Sequence, residues 1–272
     1  ETGGYLVVTN SLGFRSDIEY PAAKGDRPRI LFFGDSYTAG DGCSNAERFS
    51  DLVGDALGAE TYNFGLSGSG TDQQLLIFER FAREIAADLI VICPCVENIE
   101  RIKVAYRESI DRNTGARVLT PKPYFSLEDG QLRLQQVPVP RERPDAGSIS
   151  GDRVQAKVPP RQRGLYSALA YYRRSPALGW VRRAVNSRLP GLRSALLRLS
   201  GYQPHPDYKS ADSRGWRLME AILGRFFEQA SPIPVLVVPL PSYHFFYDGV
   251  EPIYLSRFAA LDVTREIILV VH

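Results

Sequence analysis

Cysteine and histidine are scarce in this chain, with three of each in 272 residues. Three thiols do not make a disulfide framework. Cys93 and Cys95 stand one residue apart in an apolar run, which reads as core rather than metal ligation. Free thiols point to a reducing, cytoplasmic setting. Long apolar runs are missing too: nothing approaches the ~20 consecutive apolar residues of a membrane-spanning helix. No secretory leader is visible, and a chain that opens on Glu1 leaves room for an upstream leader or anchor. Overall charge is also small, a net +2. Its distribution is uneven, because the stretch from Arg141 to Gln203 holds 13 Lys and Arg against 3 Asp and Glu. A basic segment therefore interrupts an acidic body.

What is present is ordinary globular material, 44% hydrophobic and 24% charged. The length suits one α/β domain with an insertion, or two small domains. Continuous apolar runs at 30–33, 89–93 and 234–239 predict strands covered on both faces, as in a parallel sheet. Residues 61–64 and 267–271 are further strand candidates. Helical periodicity fills the gaps. One helix is expected over 45–57 with Phe49, Leu52, Val53 and Leu57 on one face, a second over 72–87, and a third over 216–229. Strand–helix alternation of this kind predicts a doubly wound, mostly parallel sheet.

The alternation breaks between 100 and 215. Residues 124–134 alternate apolar and polar around Asp129-Gly130, the signature of a hairpin. A loop rich in Pro, Arg and Gly follows over 137–163, then a helical stretch over 165–199 divided at Pro190-Gly191. We read 100–215 as an inserted hairpin and helical cap over the carboxyl edge of the sheet. The basic cap offers a surface to an anionic substrate or to a membrane, or its arginines form a solvated face. No nucleic-acid-binding motif accompanies the charge, so nucleic acid is not an expected partner.

Three blocks carry candidate chemistry. In Gly34-Asp-Ser36-Tyr-Thr-Ala-Gly40 a strand runs into a helix, placing Ser36 at a strand's carboxyl end, where ligands bind in open α/β sheets. There the Ser36 N–H can face a developing oxyanion. In Asn63-Phe-Gly-Leu-Ser-Gly68-Ser-Gly70 small residues allow a close backbone approach. It lacks the lysine of a phosphate-binding loop and is not a G-x-G-x-x-G sequence. In Cys95-Val-Glu97-Asn98 an asparagine lies just past a buried strand, where its amide can enter the same cleft.

In this order the three blocks resemble those of bacterial SGNH/GDSL hydrolases, most of all the group in which an Asn-Ser-Leu-Gly-Phe-Arg segment, here Asn10 to Arg15, precedes the Gly-Asp-Ser block. The resemblance covers residues 10–98, with 234–240 as the next strand. It implies a single domain over 1–272 with a flavodoxin-like three-layer α/β/α fold. It implies Ser36 as nucleophile, and an oxyanion hole from the Ser36 and Gly68 N–H groups and the Asn98 side chain. Gly70 takes the place of Gly68 if the second block is shifted by two. Glu97-Asn98-Ile99 stands where Gly-Asn-Asp is usual. The implied activity is that of a serine-dependent ester hydrolase or O-acyl transferase acting on an acylated carbohydrate or lipid. It would proceed through an acyl-enzyme, with no metal or organic cofactor.

The family's general base is a His three residues after an Asp, beyond the last strand. Here Tyr202, Pro241 and Leu269 stand three residues before His205, His244 and His272. Three readings follow. The chain is a piece or altered reading of a longer protein; or His244 or His272 serves as base; or the cleft is catalytically incomplete and binds carbohydrate or an anionic surface.

Overall fold

A computed structural model describes residues 7–111, 113–141, 201–247 and 250–261. The expected strand at 267–271, the cap helices over 165–199, most of the basic loop and His272 lie outside the described residues.

Four parallel strands form the central sheet: β1 (Arg29–Gly34), β2 (Glu60–Asn63), β3 (Leu89–Cys93) and β8 (Val235–Val237), in spatial order β2-β1-β3-β8. Side chains alternate between two covered faces, which is why β1, β3 and β8 read as apolar runs, while β2 (ETYN) does not. Leu31, Phe33, Ile90, Ile92 and Val237 enter the larger core, while Ile30, Phe32, Val91 and Cys93 enter a smaller one on the opposite face. Phe33 meets Phe64, Phe78 and Phe226 at ring-centroid distances of 5.1, 5.8 and 5.3 Å.

Helices lie on both faces, so the expected three-layer α/β/α architecture is present. The short α1 (Ser36–Ala39) follows β1 directly, and α2 (Phe49–Leu57) precedes β2. Next, α3 (Thr71–Ile77) continues through a wider turn at Phe78–Ala82. The single turn α4 (Asn98–Arg101) follows β3. The long α5 (Arg214–Ala230) is capped by Ser213, whose hydroxyl accepts from Trp216 N–H at 3.1 Å. Two short helices, α6 (Tyr243–Tyr247) and α7 (Tyr254–Ala259), follow β8. No helix among the described residues is long and apolar enough to cross a membrane.

The connection from β3 to its neighbour β8 holds the excursion. The hairpin expected at Asp129-Gly130 is β6 (Tyr124–Glu128) and β7 (Gln131–Gln135). Both turn residues have positive φ, as a two-residue primed turn requires. A second hairpin, β4 (Tyr106–Ile110) with β5 (Arg117–Pro121), was not expected from the sequence. Its first strand is largely polar and exposed, so no alternating apolar face marks it.

One expectation is corrected. The helix over 45–57 begins as a separate 3-10 turn, and the regular helix starts at Phe49. Its apolar residues divide: Leu52 and Leu57 are 53% and 64% exposed, whereas Phe49 meets Phe32 of β1 edge-on at 5.7 Å and Val53 packs on the smaller core. Ser50 and Gly54 are the buried positions. Gly54 lies against the Thr61 side chain with no room for a Cβ, so the helix approaches β2 by its smallest residues.

Candidate active site

The carboxyl ends of β2, β1 and β3 bring the three blocks side by side. β1 turns directly into α1, with Asp35 as the N-cap: its carboxylate accepts the Tyr37 N–H at 3.1 Å. Ser36 is the first residue of that helix and half-buried. Among the described residues no side chain hydrogen-bonds its hydroxyl, and its N–H has no acceptor. The Asn10 to Arg15 segment braces the far end of α1. Arg15 Nη1 donates to the carbonyls of Ala39 (3.3 Å) and Gly40 (2.5 Å), oxygens that a helix terminus leaves unpaired. Asn10 shapes the segment by accepting the Phe14 N–H at 3.0 Å.

The second block holds α1 from the β2 side. Asn63 Nδ2 donates to the Thr38 carbonyl at 2.6 Å, and its Oδ1 accepts Gly65 N–H at 2.8 Å. Gly65 packs against the Thr38–Ala39 backbone where no Cβ fits. Gly68 has φ +76°, a left-handed conformation, and its N–H has no acceptor among the described residues. Gly70, the fallback position, is instead the N-cap of α3.

In the third block Asn98 is fully buried at the start of α4, its N–H donating to the Cys95 carbonyl at 2.8 Å. Among the described residues neither Nδ2 nor Oδ1 of its side chain has a hydrogen-bond partner. Leaving such an amide unpaired normally costs about 1–3 kcal/mol, so each instance calls for an explanation.

Arg101, one turn beyond Asn98, joins the blocks. Its Nη1 donates to Asp35 Oδ2 at 3.0 Å and to the Ser69 carbonyl at 3.0 Å, and its Nη2 pairs with Glu97. One guanidinium thus touches a residue of every block. Sequence reasoning missed it, because an arginine on a polar turn carries no signal until its three partners converge. Burial pushes the Asp35 carboxyl up, and the Tyr37 N–H and the Arg101 charge pull against that. The ligand atoms of Asp35, Cys95 and Glu97 lie within 4.8 Å of one another. Burial drives the Cys95 thiol up to about 12, and both carboxylates already face Arg101, so the trio is a poor set of metal ligands.

The histidines take different places. His205 is buried, with no hydrogen bond to either ring nitrogen among the described residues and Nδ1 4.0 Å from Glu100 Oε1. Desolvation first, then the nearby His244 and Lys103 charges, lower its pKa to about 4, with Asp207 opposing. His244 sits half-buried on α6, its ring tilted against that of Tyr243 at 3.9 Å between centroids. That helix follows β8, whose ladder to β3 extends through Cys95 and Leu240. His244 therefore belongs to the same sheet edge as the third block.

No family model matches the chain, and no curated protein matches it. Among solved structures it is similar to a mutant of the esterase AlinE4, at 25% identity and a TM-score of 0.26, over 29% of this chain and 46% of that one. It is also similar to AlinE4 itself, described as an SGNH-hydrolase family esterase, at 13% identity and a TM-score of 0.39, over 91% and 77%. A lipase from a goat rumen metagenome, Lip_vut3, gives 12% identity and a TM-score of 0.36, over 89% and 79%. Overlaps this loose assign no role to any residue, and the likeness to SGNH/GDSL hydrolases rests on the three sequence blocks gathered at one sheet edge.

Proposed function

We propose that the chain is a serine-dependent ester hydrolase or O-acyl transferase that works through an acyl-enzyme on Ser36. The observation that carries this reading is that Ser36, Gly68 and Asn98 follow the carboxyl ends of three adjacent strands while, among the described residues, the Ser36 hydroxyl and N–H, the Gly68 N–H and the Asn98 side-chain amide have no hydrogen-bond partner. The Ser36 oxygen attacks an ester carbonyl and its proton passes to a base. The carbonyl oxygen becomes an oxyanion facing the Ser36 and Gly68 N–H groups and the Asn98 amide. Collapse expels the alcohol, which takes the proton, and leaves an acyl-serine. Water or an acceptor hydroxyl resolves it. An acylated carbohydrate or lipid is the substrate class we favour. His244 is the described histidine that follows β8 at this edge and is only half-buried, and it is our candidate base.

That none of His205, His244 and His272 has an Asp three residues before it favours a second reading, a catalytically incomplete protein that uses the cleft to bind carbohydrate or an anionic surface. Hydrolysis of p-nitrophenyl acetate decides between them. The first reading expects turnover that falls by about 10³ or more in Ser36→Ala and by about 10²–10³ in Asn98→Ala. Turnover that persists in Ser36→Ala overturns it. A folded but inert chain with saturable glycan binding supports the second.

A further inference from the structure

We propose that Arg107 forms an anion subsite beside Gly68, so that the substrates of this site are esters carrying a negative charge close to the scissile bond. The inference rests on the ester-cleaving reading and names its substrate class.

Arg107 lies on β4, on the unexpected hairpin. Its guanidinium sits directly on Gly68, in the place a Cβ would take, and Nη1 donates to the Ser67 carbonyl at 3.3 Å. A cavity of about 350 Å³ opens there, with Gly68, Arg101, Arg107 and Lys122 in its wall. Volumes of this size hold small ligands. The other charges around it are matched. Arg101 faces Asp35 and Glu97, and Lys122 pairs with buried Asp72. The two carboxylates of the wall are also met, Glu100 by Lys103 at 2.7 Å and Glu108 by Arg117. Among the described residues Arg107 meets no carboxylate; its one hydrogen bond goes to a neutral carbonyl.

The cavity therefore carries an unbalanced positive charge beside a proposed oxyanion donor. A planar guanidinium with free donors suits a carboxylate or another oxyanion. A substrate whose carbonyl oxygen rests at the Gly68 N–H brings its neighbouring substituent against Arg107. A neutral substituent leaves the charge unanswered, whereas an anionic one gains charge-assisted hydrogen bonds. The attraction also speeds encounter at low ionic strength.

The test compares ester pairs of matched size. p-Nitrophenyl hydrogen succinate against p-nitrophenyl butyrate places the anion on the acyl side. 4-Acetoxybenzoate against its methyl ester places it on the alcohol side. We expect the anionic member of one pair to have the higher kcat/KM, and Arg107→Gln to reduce that ratio about tenfold. Arg133→Gln, a remote exposed arginine on β7, leaves the ratio in place. No anionic preference in either pair, or an equal fall in both variants, overturns the subsite while leaving the esterase intact. If no ester is turned over in a Ser36-dependent way, the esterase reading fails separately. Calorimetric binding of the same two anionic esters to Ser36→Ala then decides the subsite: binding that weakens about tenfold on adding Arg107→Gln supports it, and binding that is absent or unmoved by that change overturns it.

Discussion

Arg101 is the residue on which the geometry of the site depends most. Removing its side chain leaves the fully buried Asp35 without its cation and Ser69 without a donor. Arg101→Ala should cost about 3 kcal/mol, read as a lower urea midpoint, because one partner of a buried pair then stands alone. Arg101→Lys should recover only part, since a single ammonium does not reach three separated acceptors with fixed geometry. His205 gives a pH signature. Its folded pKa of about 4 lies below its unfolded value, so the unfolded chain takes the proton first as the pH falls. Stability is undiminished above pH 6.5 and is lost from there down to about 4. Between pH 7 and pH 5 the loss is about 2 kcal/mol, and His205→Gln should remove that part of the slope in paired urea titrations. Asp35 and Asp72, whose folded pKa values are raised, pull the opposite way on acidification. The difference between the two chains isolates the histidine.

At the scale of the element, α2 departs from the usual rule at two of its apolar positions. Leu52 and Leu57 face outward while Ser50 and Gly54 are its buried positions, so Leu52→Gln should change stability by no more than about 0.5 kcal/mol. Gly54→Ala should be harmful instead. Alanine gains about 1 kcal/mol of helix propensity, yet its methyl meets Thr61, and overpacking there costs about 1–3 kcal/mol. Thermal melting of the two variants checks the contrast. This helix also shows where sequence reading stops. The strands β1 and β3 are legible because burial on both faces leaves an unbroken apolar run. The β6–β7 hairpin is legible because Asp129-Gly130 fixes its turn. The orientation of α2 is not, since periodicity locates an apolar face without saying what lies opposite. β4 escapes notice because Tyr106–Ile110 is exposed and polar. Ser36, Gly68 and Asn98 could be picked out from local motifs, whereas Arg101 and Arg107 acquire meaning only from chain segments brought together by folding.

For the molecule as a whole, the aromatic cluster on one face of the sheet ties α5 to the early strands. Phe226 stacks on Phe78 at 4.5 Å and meets Phe33 edge-on, fully buried. Phe226→Ala should cost about 3–5 kcal/mol, and a single unfolding transition seen alike by tryptophan fluorescence and circular dichroism would show that α5 and the sheet melt together. The order β2-β1-β3-β8 has a further consequence. β3 ends at Cys93 and its neighbour β8 begins at Val235. A ribosome adding about 5–20 residues per second needs on the order of ten seconds to make the stretch between them. Throughout that interval β3 is the open border of a half-built sheet, with unsatisfied main-chain groups and the apolar side chains that Phe226 and its neighbours will later cover. The nascent chain is most exposed to mispairing then, a hazard set by the place of the excursion in the chain rather than by the stability of the finished fold.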